Sequence, residues 1–143
     1  MLYLALWDPP SKPARPKTAL DHPLVRHFIE NWGHKGDIGF IASNRSGESV
    51  GAIWTQLNDT SPGEGYGCSH PELGIAVIAK HQGRGVGSGL MKHLIEDLRH
   101  QASGLRLGVH PQNQTDISLN RKSDFIQYAV GAGEYPQMKL DFN

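Results

Sequence analysis

Apolar residues along this 143-residue chain fall into short runs separated by proline- and glycine-rich breaks. Met1–Trp7 is apolar and stops at Asp8-Pro9-Pro10; four of the nine prolines lie between Pro9 and Pro16, which predicts an extended linker. Asp21-His22-Pro23 supplies a helix start, and Leu24, Val25, Phe28, Ile29 and Trp32 follow at helical spacing until Gly33. Asp37–Ala42 and Val50–Leu57 read as two strands of a hairpin turned at Asn44–Glu48. Asn58–Pro71 is rich in Gly, Pro, Ser and Thr and reads as a loop. Leu73–Ile78 is nearly all apolar, the pattern of a central strand buried on both faces. After a glycine-rich turn, Leu90, Met91, Leu94, Ile95 and Leu98 mark one face of a helix, with Lys92, Glu96, Asp97 and Arg99 on the other. Leu105, Leu107 and Val109 alternate as a strand, a second helix covers Thr115–Lys122, and Phe125–Val130 and Gln137–Phe142 close the chain as strands. The predicted class is α/β, a mixed central sheet flanked by helices.

Composition narrows the function. A mass of 15.7 kDa suits one domain spanning 1–143, with a helical, proline-linked part at 1–36 and a core at 37–143. Fourteen Lys+Arg balance fourteen Asp+Glu, which removes the electrostatic case for nucleic acid or an acidic membrane surface. Cys68 is the single cysteine, so no intrachain disulfide forms; with no basic leader and no long apolar run, the expected location is cytoplasmic. Eight scattered histidines, without an H-E-x-x-H or Cys/His cluster, give no metal site. Trp7, Trp32 and Trp54 read as core or groove lining, and Cys68, Tyr66 and Tyr128 as ordinary structural residues.

The chemistry sits in Val77-Ile78-Ala79-Lys80-His81-Gln82-Gly83-Arg84-Gly85-Val86-Gly87-Ser88-Gly89, where a strand enters a glycine-rich turn that opens an amphipathic helix. Such a turn leaves backbone N–H groups unpaired at the positive end of a helix, a place for phosphate oxygens. A Walker loop would need Gly-Lys-Ser/Thr, but the nearest lysine after the turn, Lys92, follows Met91. A dinucleotide fingerprint fails as well: its sixth position falls on Ser88 or Leu90. What fits is Gln-x-x-Gly-x-Gly at Gln82–Gly87, with Val77 five residues before Gln82. This resembles the pyrophosphate-binding motif of the GNAT superfamily of acyl-CoA-dependent N-acyltransferases, and the order of elements around it is similar from Asp37 to Phe142.

The resemblance implies an acetyl-CoA-dependent N-acetyltransferase acting on a primary amine of a small molecule or protein, by direct attack in a ternary complex. It implies that Ala76, Val77 and Ile78 meet the pantetheine arm in a gap beside strand Leu105–Val109. Gln82, Gly83, Arg84, Gly85, Val86, Gly87 and Ser88 would hold the pyrophosphate, and Asn113 would contact the arm. An amine with a pKa near 10 must lose a proton before it attacks, and Glu72 matches a position where the family carries an acidic base; Asp59 and Glu64 are weaker candidates. The family segment N-x-x-A-x-x-L-Y-x-x-x-G-F falls on Asn113–Phe125. Leu119 and Phe125 match, but Asn120 stands where a tyrosine acid belongs and Asp124 replaces the glycine. An amide can donate a hydrogen bond to sulfur but cannot act as a general acid, so the alternative is a degenerate acyl-CoA-binding module, a sensor or structural ligand site. Met1–Trp7 resembles the family's first helix, so the opening edge strand is expected to be missing, through truncation or a late start. The strand at 37–42, with Ile38, Phe40 and Ile41, would then pair with a second copy as a homodimer.

Overall fold

A computed structural model describes residues 33, 36–56 and 69–142. The expected N-terminal helix, the proline linker, Asp59, Glu64, Tyr66 and Cys68 lie outside the described residues, as do residues 1–32. The missing opening strand and the dimer edge depend on that part of the chain.

Six strands form one mixed sheet: β1 (Gly39–Ser43), β2 (Ser49–Gln56), β3 (Glu72–Val77), β4 (Gly104–Gly108), β5 (Ile126–Val130) and β6 (Pro136–Asp141). Helix α1 (Val86–Leu98) joins β3 to β4, and α2 (Gln114–Lys122) joins β4 to β5. Every boundary but one lies within two residues of where the hydrophobic pattern predicts it; α1 begins four residues early, at Val86, so that part of the glycine-rich turn is its first turn. The strand order is β1-β2-β3-β4-β6-β5, antiparallel except between β3 and β4. The hairpin between β1 and β2 is set by Asn44, whose Oδ1 accepts the N–H groups of Ser46 and Glu48.

Both described helices cover the same face of the sheet. A Cβ on Gly51 would touch Leu90 and Val86 of α1, and one on Gly87 would touch Leu119 of α2 as well as Val77 and Ile75. Gly51 and Val77 are register partners, as are Ile53 and Ile75, so these positions share a face. The core lies under the helices: Ile53, Leu73, Leu90, Leu94, Leu98, Leu105, Leu107, Ile117, Phe125 and Met138 are buried together.

The near-continuous apolar run of β3 predicts a strand covered on both faces, and Leu73 and Ala76, which alternation turns to opposite faces, are both buried; the remaining positions are half-buried. The strand is open at its side. β3 pairs with β2 at six positions and β4 pairs with β6 at five, but β3 and β4 meet at one, Glu72 opposite Arg106. Beyond that pair the two central strands diverge, and the sheet opens as a V.

Candidate active site

The V is closed at its apex by polar contacts. Arg106 N–H donates to the Pro71 carbonyl at 3.1 Å, and the buried Arg106 side chain donates through Nε to the His70 carbonyl at 3.0 Å. The Arg106 Nη2 lies 4.0 Å from Glu72 Oε2. His70, also buried, bridges Ser69 Oγ at 2.9 Å and Asp141 Oδ1 at 2.7 Å, tying the start of β3 to the end of β6. Gly104 makes room for this ring: a Cβ there would fall 2.5 Å from His70 Cδ2.

The open side of the V leads into a cleft of about 340 Å³. Its lining comes from β3 (Ile75, Ala76, Val77), the following turn and the start of α1 (His81, Gln82, Gly83, Gly85, Gly87, Ser88), and α2 with its cap (Asn113, Thr115, Asp116, Ser118, Leu119, Lys122). The turn is built as its sequence suggests. Gly85 caps α1 in the left-handed conformation, φ +84°, with nothing within 4 Å of where a Cβ would stand. The first N–H of α1 with a partner one turn back is that of Gly89, which donates to the Gly85 carbonyl at 2.9 Å. No side chain among the described residues caps the helix, so the N–H groups of Val86, Gly87 and Ser88 are left at the positive end of its dipole. Gln82 folds back and donates from Nε2 to the Val77 carbonyl at 3.1 Å, across the five-residue spacing seen in the sequence. An anion with several oxygens suits such a site, and backbone peptide groups on an unpaired strand edge suit an extended amide chain.

The geometry sorts the residues singled out above. Ala76, Val77, Gln82, Gly83, Gly85, Gly87, Ser88 and Asn113 come together around the cleft. Ile78, Arg84 and Val86 are not among its lining residues. The Ile78 N–H is committed to the Val50 carbonyl at 2.9 Å, and Val86 turns its side chain toward Gly51. Peptide groups alternate along an extended strand. Since Pro71 bonds toward β4 and Ile78 toward β2, the peptide groups that face the gap are those of Ile75 and Val77, while Ala76 faces β2. Ile75 was missed because an apolar run alone does not say which edge of a strand is unpaired.

Glu72 stands at the apex beside Arg106 and is not part of the cleft lining. Its neighbour in sequence, Leu73, points to the helix-covered face, so alternation turns Glu72 to the other. Asn120 is likewise not among the residues that line the cleft. It lies on the core side of α2, 2% exposed, with Nδ2 donating weakly to the Met138 sulfur at 3.9 Å and Oδ1 buried without a hydrogen-bond partner. The cleft wall holds an acid that sequence reasoning passed over: Asp116, in the alanine position of the family segment. Burial pushes its carboxyl above the ordinary aspartate range, and the hydrogen bond from Asn113 works in the opposite direction. Among the described residues, no group of three or more His, Cys, Asp or Glu could hold a metal ion, and no helix is long and apolar enough to cross a membrane.

Comparisons with known proteins agree with this geometry. The family model described as acetyltransferase (GNAT) family matches residues 2–125. That match takes in the N-terminal part which the motifs alone did not reach. No curated protein matches the chain. The GNAT domain of S. lividans PAT is similar with TM-score 0.68 and 20% identity, over 82% of this chain and 68% of that one. A ribosomal-protein-alanine N-acetyltransferase from Brucella melitensis is similar with TM-score 0.65 and 25% identity, over 82% and 76% of the two chains. A phosphinothricin acetyltransferase from Sinorhizobium meliloti, solved in complex with acetyl-CoA, has TM-score 0.63 and 14% identity, over 76% and 62%. A V-shaped sheet, an uncapped glycine turn at its open side and a family match over most of the sequence converge on one assignment: the chain belongs to the acetyltransferase (GNAT) family.

Proposed function

We propose that the chain transfers an acetyl group from acetyl-CoA to a primary amine of a small molecule or protein, by direct attack in a ternary complex. The observation that carries this reading is the single pairing between β3 and β4. It leaves peptide groups of Ile75 and Val77 facing a cleft that ends at the free N–H groups of α1. In this reading the turn Gln82–Ser88 holds the pyrophosphate with backbone N–H groups, and Gln82 braces the turn through Val77. The Ile75 and Val77 peptide groups and Asn113 hold the amide-bearing arm, and a gap-facing N–H stabilises charge on the thioester oxygen. Bound acetyl-CoA supplies an activated acyl group. Glu72 at the apex takes the proton of the incoming amine, directly or through water, with the Arg106 cation keeping the carboxylate oriented.

Asn120 supports a second reading, an acyl-CoA-binding module without turnover, because its buried amide offers no proton to a leaving thiolate. Thiol release from acetyl-CoA across a panel of amines separates the two. Sustained turnover with any amine excludes the binding module. Cofactor binding by calorimetry with no thiol release for any amine favours it, and absence of binding overturns both.

A further inference from the structure

Helix α2 opens on a pairing that the motif does not contain. Asn113, its N-cap, is 4% exposed. Its Oδ1 accepts the Asp116 N–H at 3.2 Å, and its Nδ2 donates to Asp116 Oδ2 at 2.6 Å. In an ordinary capping box the acid three residues on would reach back to the N-cap backbone N–H. Here that N–H already donates to the His110 carbonyl at 2.9 Å, so the carboxylate takes the side-chain amide instead. Asp116 therefore holds both ends of the Asn113 carboxamide, the oxygen through its backbone and the nitrogen through its carboxylate. An amide has two N–H donors and two oxygen lone pairs. One of each is used by Asp116, and only one of the two flips of the amide satisfies both bonds. Both residues line the cleft.

Resting on the reading of this cleft as the acetyl-CoA site, we propose that Asp116 is a positioning residue: its carboxylate fixes the Asn113 amide so that the remaining N–H is presented to a carbonyl of the cofactor's amide-bearing arm. Without the carboxylate the amide rotates, and the N–H and the oxygen exchange places before the ligand. A protonated carboxyl is a poorer acceptor than a carboxylate, so the hold weakens on acidification.

The sign in pH follows from this. Affinity that needs the Asp116 carboxylate is present above its folded pKa and is lost as pH falls through it. Burial places that loss higher in pH than for an ordinary aspartate. Lys122 from α2 and His81 from the turn after β3 also line the cleft; the linings from β3 and α1 carry no charge. Comparison with Asp116→Asn isolates the carboxyl, because that variant keeps both side chains and loses only the titrating group.

The test is binding of free CoA, measured by calorimetry between pH 5 and 8 on the full chain, for wild type, Asp116→Ala and Asp116→Asn. Asp116→Ala is expected to bind about tenfold more weakly at neutral pH, which corresponds to ~1.4 kcal/mol. Asp116→Asn, whose amide oxygen still accepts from Asn113, should keep affinity within about threefold and show none of the acid-side loss attributed to the carboxyl. The Asn113 side-chain amide resonance, followed by NMR without ligand, should move in Asp116→Ala and stay closer to its place in Asp116→Asn. Equal affinity in wild type and Asp116→Ala overturns the proposal alone. Tighter binding by both variants, most marked at high pH, also overturns it, since Asp116 would then act only as a repelling charge. No binding by wild type overturns it together with the reading of the cleft.

Discussion

The two walls of the cleft are made in different ways. The wall formed by the turn and the start of α1 works through its backbone: a left-handed Gly85, three N–H groups without partners among the described residues and a glutamine that braces a carbonyl. The wall formed by α2 works through side chains, with Asn113 and Asp116 paired at its start and Asn120 buried at its last turn. A backbone site is written in the sequence as glycines at fixed spacing, because only their absence of a Cβ matters. A side-chain site is written as residue types whose direction depends on helical phase and on what packs behind them. The motif is followed on the first wall and departed from on the second.

The sharpest way to break this contrast is to load a side chain onto the backbone wall. Gly85→Glu puts a carboxylate where a phosphate is expected, and forces a φ of +84° on a residue with a Cβ. The expected loss in CoA affinity is at least a hundredfold, or ~3 kcal/mol. Gly85→Ala carries the backbone strain without the charge and should lose less. A folded Gly85→Glu protein with unchanged affinity by calorimetry would mean that the first wall is not a phosphate site.

The four alternating glycines show how much such a pattern reveals. Read as a group they mark an anion-binding turn, but their duties differ. Gly83 and Gly85 have positive φ and open space around a Cβ, while Gly87 has ordinary φ and lies where a Cβ would come within 3.2 Å of Leu119. Gly89 meets neither condition, since a Cβ there would face open space. Spacing located the site without telling conformational need from packing need. The strands were legible for a similar reason: alternation and turn residues mark where each begins and ends. The divergence of β3 from β4 was not legible, because it depends on hydrogen bonds absent between two distant segments. Nor was the placement of Glu72 and Asn120, which needs the phase of a strand or helix against its neighbours.

A smaller effect is expected at Asn120, on the side-chain wall. Its Oδ1 is buried without a partner, and a group left so costs about 1–3 kcal/mol. Replacing it by an apolar residue of similar size removes that cost. Asn120→Leu is therefore expected to raise stability by about 1–2 kcal/mol, read as a higher urea midpoint at unchanged slope. Asn120→Tyr, by contrast, must fit a larger ring against Met138 in a buried place and should lose about 1–3 kcal/mol by overpacking. A destabilised Asn120→Leu would show that the amide has a partner in solution and that the second wall depends on it.

The least effect is expected at the end of the same helix, where a glycine of the family segment is replaced by Asp124. The physical reason for that glycine is visible in how α2 stops. Phe125 N–H donates to the Asn120 carbonyl and Asp124 N–H to the Arg121 carbonyl, each at 3.0 Å, the paired bonds of a Schellman ending. The residue between must turn left-handed, and Asp124 does so with φ +69°. Aspartate tolerates this conformation better than most residues but less well than glycine. In the same motif the residue after the turn usually packs against the one five positions earlier; here that pair is Phe125 and Asn120, so an amide stands where an apolar contact belongs. Asp124→Gly should relieve the backbone strain, offset in part by the greater freedom glycine brings to the unfolded chain, for a net gain of about 0.5 kcal/mol. Combined with Asn120→Leu it should give more than the sum of the two, because the glycine lets the helix end relax onto the new apolar contact. A double-mutant cycle in urea reads this directly. Strict additivity would mean that the two departures on the second wall arose at independent positions rather than as parts of one altered helix end.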